Sequence, residues 1–263
     1  MASKVIMVKG VDPHRIVNKG LSYFDRPSRE RIVLKPNLIN DKAPPTTTSC
    51  DIIEALVKYY SEAGYTVVIA EGSGWSDTNH AFKVLGYTEI AERCGVKLVD
   101  LNNDYYEIRS NHDASVLKEF KCPLTLKNSY IVSVPVLKEH SITGVTLSLK
   151  NMLGATPGEG GITSRKGRFH RLGIDESIVD VNLHLKPSLA VIDGRIAGLD
   201  GELGARPKKL GIVIFSEDLV AADTVGAKLL GRNPLSIKHL RIAQQKGFGT
   251  VDLKQIEIVE VEA

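Results

Sequence analysis

Short apolar runs rich in β-branched residues alternate along the chain with segments in which apolar residues recur at helical spacing. The near-continuous apolar runs are typical of strands buried on both faces of a parallel sheet. The pair Asp12-Pro13 and the residue Ser49 are typical of helix starts. We therefore predict strands at 3–9, 31–34, 65–70 and 96–101, and helices at 13–24, 49–63 and, bent near Gly86, 79–94.

The second half of the chain repeats this rhythm after a less regular β stretch at 105–128. The glycine-rich stretch 154–173 has no hydrophobic period and predicts a long exposed loop. The pattern predicts one mostly parallel α/β domain over 1–263 with flanking helices; two closely packed lobes that divide near 135–145 are the alternative. The predicted elements are strands at 128–137, 188–193 and 209–215, an edge strand at 254–262, helices at 143–153, 174–185, about 217–230 and 236–246, and a polar loop at 195–207.

Composition narrows the classes of function. The 263 residues carry 34 Lys and Arg against 31 Asp and Glu, a net charge of +3 that argues against nucleic-acid binding. A membrane span needs roughly 18 consecutive apolar residues, and the sequence has no run of that length and no signal-peptide core, so we expect no membrane association. The three cysteines, Cys50, Cys94 and Cys122, form no C-x-x-C pair, which favours a reducing, cytoplasmic location.

Polar side chains follow four of the predicted strands. Ligands of open parallel sheets bind beyond the carboxyl ends of the strands, so residues at these ends are expected to share a cleft. Each one is also explained by a solvated strand end or by turn chemistry. The candidates are Lys35, Asn37, Glu71, Lys138, His140 and Asp193.

A second group lies in the polar stretch 143–158 and the loop behind it. Lys150 and Asn151 are on the predicted helix, and Arg168 and His170 are in a basic segment that has Glu159 as its one acid. Arginine binds carboxylate or phosphate through paired hydrogen bonds, and glycines let backbone N–H groups turn toward an anion. A solvated basic loop without any ligand is the alternative.

Together these residues predict a site for a small anionic ligand. Lys138 and His140 are the candidate acid and base groups, since both are able to exchange protons when their pKa values lie near neutrality. The predicted substrate-binding residues are Lys35, Asn37, Glu71, Lys150, Asn151, Arg168, His170 and Asp193. A metal site through His140 or His170 with Glu71, Asp193 or Glu202 stays open, because no local spacing pre-forms it. No phosphate-binding loop, dinucleotide fingerprint or nucleophile elbow is present, so the cofactor is unknown.

Several strings, in order along nearly the whole chain, resemble the domain-of-unknown-function family DUF362. They are VLKPNL (33–38), EGSG (71–74), VPVLKEH (134–140), TGVTLSLKNMLG (143–154), VIDGRIAG (191–198) and LVAADTVGAKLLGRNP (219–234). The resemblance implies an uncharacterised α/β protein, with many relatives in anaerobes or archaea and some fused to ferredoxin-type iron–sulfur modules. This chain lacks the cysteine run of such modules, so an iron–sulfur role requires a partner protein. Within LVAADTVGAKLLG, Asp223 is either a site residue or a helix cap.

Three functions therefore remain open. The first is an enzyme that acts on a small anionic substrate through Lys138 and His140. The second is a redox or metal-linked accessory protein with an iron–sulfur partner, or an enzyme analogous to the nickel-pincer lactate racemases. The third is a non-catalytic protein that binds a ligand in the same cleft.

Overall fold

The computed structural model describes residues 2–158 and 165–263. Within these ranges, ten strands form one large sheet and two more form a small antiparallel sheet. The strands are β1 (Ser3–Lys9), β2 (Arg31–Pro36), β3 (Thr66–Glu71), β4 (Lys97–Asp100), β5 (Tyr106–Ser110), β6 (Glu119–Pro123), β7 (Tyr130–Val134), β8 (Val136–His140), β9 (Gly144–Thr146), β10 (Leu189–Leu199), β11 (Arg206–Ser216) and β12 (Ile256–Glu262). The α-helices are α1 (Pro13–Leu21), α2 (Cys50–Glu62), α3 (Thr78–Val84), α4 (Tyr87–Cys94), α5 (Ser148–Asn151), α6 (Arg168–Leu172), α7 (Ile174–Leu185), α8 (Leu219–Leu229) and α9 (Lys238–Gln245).

The large sheet has the order β12-β1-β11-β10-β7-β2-β3-β4. Its central pairs β10–β7, β7–β2, β2–β3 and β3–β4 are parallel, and β11 joins β1 and β10 antiparallel. After β7, the chain continues into β8, which pairs with β10 and with β9. The predicted α/β class with a mostly parallel sheet and flanking helices is confirmed.

Both faces of the sheet are buried, as the continuous apolar runs predict. Ile32 and Leu34 of β2 belong to the apolar cluster that includes residues of α1 and α2. Val33, which points the other way, belongs to the cluster that includes residues of α5, α7 and α8. Successive side chains of β2 therefore pack against helices on opposite faces of the sheet. Since both faces are covered, a ligand can approach β2 only at an end of the strand.

The predicted helix at 143–153 is wrong in its first half. Gly144 has a φ of 78°, and β-branched Val145 and Thr146 continue as strand β9, which pairs with β8 in the register Lys138–Thr146. β-branched residues suit a strand better than a helix. The helix begins only at Ser148, and a 3-10 turn over Met152–Ala155 follows it. Pro135 divides the predicted strand 128–137 into β7 and β8.

The predicted polar loop at 195–207 is also wrong, because most of it is a β-hairpin. β10 continues to Leu199 through a register shift between Gly194 and Ile196, and β11 already begins at Arg206. The charged residues of these strands are accommodated in two ways: Arg195 is largely buried in ion pairs with Asp51 and Asp193, and Arg206 is exposed and pairs with Asp200. The turn of the hairpin, residues 200–205, reaches the candidate site described below.

The predicted loop 154–173 lies partly outside the described residues, and Glu159 falls in the part that is not described. On either side of it are the 3-10 turn Met152–Ala155 and helix α6.

The sheet is continuous across 135–145, since β7 and β8 both pair with β10. The single domain over 1–263 stays a prediction. In the described ranges, no helix combines the length and the apolar character that crossing a membrane requires.

The small β5–β6 sheet is held against α7 by one buried carboxylate. Asp180 accepts hydrogen bonds from the backbone N–H groups of Ser115, Val116 and Leu117 at 2.8, 2.6 and 2.9 Å. The Nε2 atom of His184 lies 2.7 Å from the carbonyl oxygen of Leu117. These contacts fix the loop between the two strands on the helix.

Candidate functional site

The carboxyl ends of β2, β3 and β8 open onto one cavity of about 200 Å³. Helix α5, the 3-10 turn that follows it, α6 and the hairpin turn 200–205 close the cavity from the other sides. The structure thus gathers side chains from segments far apart in the chain. The predicted site residues that line the cavity are Lys35, Asn37, Glu71, Lys138, His140, Lys150, Asn151 and His170.

The floor of the cavity is a buried ion pair between Lys35 and Glu71. The two side chains are 0 % and 2 % exposed, and Lys35 Nζ lies 2.7 Å from Glu71 Oε2. Lys35 Nζ also donates to the carbonyl of Pro36 and to Asn151 Oδ1, so its three N–H groups are all used. Burial lowers the pKa of Lys35, and the charge of Glu71 opposes this shift.

Glu71 is equally well satisfied. Its Oε2 atom accepts from the Leu38 N–H at 2.9 Å, and its Oε1 atom accepts from the Gly72 N–H at 2.7 Å. The carboxylate therefore connects the segments that leave β2 and β3. Since neither Lys35 nor Glu71 has a polar group to spare, the pair organises the site and is poorly suited to hold a substrate directly.

Two asparagines extend this network toward the ligand space. Asn151 Nδ2 donates to the Lys35 carbonyl at 2.9 Å and to Ser133 Oγ at 3.1 Å, which orients the amide. Its Oδ1 atom accepts from Asn37 Nδ2 at 3.3 Å as well as from Lys35. In the part of the chain that the structure describes, Asn37 Oδ1 is buried and has no hydrogen-bond partner. Such an acceptor is expected to bind a water molecule or a ligand.

Lys138 lies in the middle of β8 with its side chain fully buried. Its Nζ atom donates to the carbonyl of Thr46 at 2.5 Å and to that of Glu202 at 3.3 Å. Burial, together with the neighbouring charge of Lys150, lowers the pKa of Lys138 to about 7. At neutral pH the amine is thus divided between its charged and uncharged forms. Two of its N–H groups donate to the carbonyls, so the third position on Nζ holds a proton in the charged form and a lone pair in the uncharged form.

Lys150 and Lys166 bring two further amines to the cavity. Lys150 is partly buried, and within residues 2–158 and 165–263 its Nζ atom has no hydrogen-bond partner. Burial lowers its pKa to about 8, although Glu202 and Asp175 oppose the shift. Lys166 Nζ donates to Asn102 Oδ1 at 2.7 Å and to the carbonyl of Thr156, and burial lowers its pKa to about 7.

His140 is a neutral hydrogen-bond donor in this arrangement. Its Nδ1 atom accepts from the N–H groups of Ile142 and Thr143 at 3.1 and 3.3 Å, so the neutral ring carries its proton on Nε2. Nε2 lies 3.7 Å from Glu202 Oε1. Burial and the charge of Lys150 lower the pKa of His140 to about 3, and burial also lowers the pKa of His170 at the exposed side of the cavity.

Glu202 is the second carboxylate of the cavity and lies in the hairpin turn. Its oxygens accept from the Ser141 N–H at 3.1 Å and from Ser141 Oγ at 3.1 and 3.3 Å. Burial opposes ionisation of Glu202, but the hydrogen bonds from the Ser141 N–H and hydroxyl groups hold its pKa below the usual value. The carboxylate is therefore ionised and fixed beside His140.

Two predicted residues do not line this cavity. Asp193 lies inside β10, because that strand continues to Leu199, and it forms an ion pair with Arg195 at 2.8 Å. Arg195 also binds Asp51 at 2.6 Å, which completes a separate network. The guanidinium carbon of Arg168 lies 4.8 Å from the centre of the Phe169 ring. Roles for Asp193 and Arg168 in binding stay predictions that their positions do not favour.

The predicted substrate-binding and acid–base residues do not include Lys166, Glu202, Thr146 and Trp75, although all four line the cavity. Of these, Glu202 is predicted only as a possible metal ligand. Trp75 follows the EGSG turn after β3, so its closeness to a strand end was the available signal. Lys166 is in the basic loop, and no local feature distinguishes it from its neighbours. Glu202 reaches the site only because 195–207 folds as a hairpin.

The cavity offers few of the side chains that bind metal ions in proteins. Across the described ranges, no three His, Cys, Asp or Glu side chains are grouped in a way that holds a metal. His140 and Glu202 are adjacent, but the positive charges of the nearby Lys138 and Lys150 disfavour the binding of a metal cation there. The residues that the structure describes do not fit a metal-binding site at this cavity.

Asp223 of α8 supports the site from behind. Its carboxylate is buried and accepts from the N–H groups of Ser148 and Leu149 at 2.7 and 3.0 Å, which fixes the start of α5. Burial raises the pKa of Asp223 to about 7, while these two hydrogen bonds oppose the shift. Asp223 is therefore a cap for the helix that carries Lys150 and Asn151.

Replacing Asp223 by alanine is expected to lower the free energy of unfolding by about 2–3 kcal/mol, because two buried N–H groups lose their acceptor. Urea unfolding followed by circular dichroism measures this change. Asp77→Ala is the matched control, since Asp77 caps α3 through one hydrogen bond at the surface and its loss has a smaller effect. Equal effects of the two substitutions would contradict the supporting role of Asp223.

Comparison with known proteins relates the chain to a named protein and to a family model. The thylakoid-associated protein sll1697 of Synechocystis sp. is 24 % identical over 241 residues, which cover 87 % of this chain and 71 % of the relative. No solved structure matches the chain. The model of the family described as domain of unknown function (DUF362) matches residues 32–228, a segment that carries every residue named above as lining the cavity. Because this match covers most of the sequence, the chain belongs to the DUF362 family.

Proposed function

We propose that the cavity binds a small anionic substrate and that the protein is an enzyme acting on it. One observation carries the proposal: Lys138 and Lys150 bring two amines with lowered pKa values into one small cavity, and Lys150 has no hydrogen-bond partner among the described residues. Glu71 is fully engaged by Lys35 and by two backbone N–H groups, so it neutralises neither amine.

Burial is the main cause of the lowered pKa values of Lys138 and Lys150, because the cavity excludes the water that would stabilise a charged amine. The charge of Lys150 adds to the shift of Lys138, whereas the carboxylate of Glu202 opposes the shift of both amines. An anion that enters the cavity supplies the missing opposite charge and raises the pKa of both amines again. Anion binding is therefore expected to be coupled to proton uptake.

Neutral groups complete the binding surface. Thr146 Oγ1 is buried, lines the cavity and has no partner within the described ranges, so its hydroxyl is available to an oxygen of the ligand. The Nε2–H group of His140 is a second neutral donor. Asn37 Oδ1 is an unused acceptor, which suits a hydroxyl group of the ligand or a water molecule. A ligand with several oxygen atoms, one of them protonated, uses all three groups and both amines.

The chemistry of these groups favours proton transfer between Lys138 and the substrate. Two carbonyl oxygens accept hydrogen bonds from the Lys138 amine, and its pKa of about 7 in the empty cavity allows it to gain or lose a proton near neutral pH. His140 is unsuited to take up a proton, because its pKa is about 3 and its Nδ1 atom accepts from two N–H groups. We assign Lys138 as the group that exchanges a proton with the substrate and His140 as the donor that stabilises negative charge on the substrate.

Binding of inorganic sulfate tests the proposal, since sulfate itself does not titrate near neutral pH. Isothermal titration calorimetry at about pH 6 and about pH 9, in two buffers of different ionisation enthalpy, gives the affinity and the number of protons taken up. The affinity is expected to fall as the pH rises through 7–8, where Lys138 and Lys150 lose their protons in the free protein. Proton uptake is expected only at the higher pH.

Substitutions then locate the site. Lys150→Met is expected to weaken sulfate binding by about tenfold or more, because a charge-assisted hydrogen bond is lost. Lys97→Met, at an exposed position on β4, is the control and leaves binding unchanged. A protein that binds no sulfate, or that binds it equally well after Lys150→Met, would refute the proposal.

Two other functions differ from this one in a measurable way. A non-catalytic binding protein would use the same cavity, and an identified substrate that is bound without turnover would favour it. A redox or metal-linked role requires an iron–sulfur partner, and this role stays a prediction. A cytoplasmic location also stays a prediction, since the Synechocystis relative is named as thylakoid-associated.

A further inference from the structure

The mouth of the cavity carries large apolar side chains that are exposed. Trp75, Ile142 and Leu203 line the cavity, and their side chains are 56 %, 64 % and 37 % exposed. Grouped exposed apolar residues with a polar surround mark ligand or partner contacts more often than isolated ones do. These three residues form the apolar rim of the cavity.

The apolar rim is built from three separate segments. Trp75 follows β3, and its backbone N–H donates to the backbone carbonyl of Ile39 at 2.9 Å. Ile142 follows β8, and Leu203 lies in the hairpin turn, where its carbonyl accepts from Lys42 Nζ at 2.7 Å. Because the segments are far apart in sequence, the convergence of apolar side chains at the mouth is a property of the fold and not of one local apolar run.

The cavity behind the rim is too small for most ligands. Its volume is about 200 Å³, whereas sites that enclose a whole cofactor or drug-sized ligand have volumes of roughly 300–1,000 Å³. It accommodates an oxyanion head group next to Lys138 and Lys150. The rest of any larger ligand must extend out through the mouth and lie across the rim.

We propose that the occupant is an amphiphilic oxyanion, with a phosphate, sulfate or carboxylate head on the lysines and an apolar body across Trp75, Ile142 and Leu203. The inference rests on the proposed anion site and adds the chemical class of its ligand. The lysines favour an anionic group and the rim favours an apolar group, and a molecule that carries both groups fits the whole site. Burial of the apolar body against the rim strengthens binding beyond that of the head alone.

The single tryptophan of the sequence makes the rim directly observable. Trp75 fluorescence and calorimetry are measured with hexyl sulfate and with inorganic sulfate, which share the same head. Hexyl sulfate is expected to bind at least about tenfold more tightly than sulfate and to shift the Trp75 emission to shorter wavelength, because the ring loses contact with water. Sulfate is expected to leave the emission wavelength almost unchanged.

Substitutions at the rim change the ratio of the two affinities. Ile142→Ser and Leu203→Ser are each expected to weaken hexyl sulfate binding severalfold more than sulfate binding. Ile108→Ser is the control, since Ile108 is a comparably exposed apolar residue on β5 that does not line the cavity, and both affinities stay unchanged. Equal affinities for the two probes, with no emission shift, would overturn this inference and leave the anion site intact. Failure to bind either probe would instead refute the anion site itself.

The same head and body occur in soluble esters and in membrane lipids. Co-sedimentation with phosphatidylcholine vesicles that contain a minor fraction of phosphatidic acid distinguishes the two sources. Vesicle binding that is lost after Lys150→Met assigns the ligand to the lipids. Binding of hexyl sulfate without vesicle binding assigns it to soluble amphiphiles, and either result supports the inference. Vesicle binding that persists after Lys150→Met, without tighter binding of hexyl sulfate, counts against it.

Discussion

Replacing Glu71 by glutamine is expected to lower the free energy of unfolding by about 3–5 kcal/mol, because it breaks a buried ion pair and leaves one partner unpaired. The carboxylate accepts from Lys35 and from the N–H groups of Leu38 and Gly72. An amide of the same shape has one acceptor and one donor end, so its NH₂ group faces an N–H donor. Urea unfolding at neutral pH measures the loss.

A double variant separates the ion pair from the general effect of a substitution. Lys35→Met combined with Glu71→Gln is expected to be less destabilised than the sum of the two single variants, since no unpaired buried charge remains. Lys58→Met is the control, because the Lys58–Glu54 pair on α2 is at the surface and contributes less than about 1 kcal/mol. Additive effects in the double variant would contradict the coupling that the structure shows between Lys35 and Glu71.

Replacing Asp180 by alanine is expected to lower the free energy of unfolding by about 3 kcal/mol, since three backbone N–H groups lose one shared acceptor. The loop 115–117 then loses its attachment to α7, and the β5–β6 sheet is expected to open before the rest of the molecule. Hydrogen exchange measures this directly, as faster exchange at Ser115, Val116 and Leu117.

Asp113→Ala is the matched control for Asp180. Asp113 is an exposed aspartate in the same loop, and its removal is expected to leave both stability and exchange unchanged. An Asp180→Ala protein with the stability of the Asp113→Ala protein would show that the hydrogen bonds of Asp180 are replaced by water at little cost.

The sequence predicts those parts of the site that depend on one parallel strand at a time. Lys35, Glu71 and Lys138 each end or follow a buried apolar run, and parallel pairing brings such ends to one edge of the sheet. Asp193 meets the same criterion but lies elsewhere, because β10 continues for six further residues against β11 and Asp193 is inside the strand. An apolar run shows where a strand is buried and does not show where the strand ends.

The remaining part of the site depends on contacts between segments that carry no mark in the sequence. Glu202 reaches His140 only through the β10–β11 hairpin, and the segment of that hairpin is polar enough to predict a loop. Lys166 is one cation of a basic stretch, and its contacts with Asn102 and Thr156 distinguish it. Tertiary partners decide both cases, so local patterns are insufficient for them.

One short turn carries side chains that belong to both parts of the proposed ligand site, the anion cavity and the apolar rim. Residues 200–205 hold Glu202 beside His140 and Leu203 at the rim, and the turn is tied to the 42–46 segment through Lys42 and Thr46. An insertion or deletion in this hairpin would displace the carboxylate and the apolar side chain together. If the proposed ligand is correct, relatives that differ in hairpin length are expected to differ both in head-group preference and in chain-length preference, without any change at Lys138.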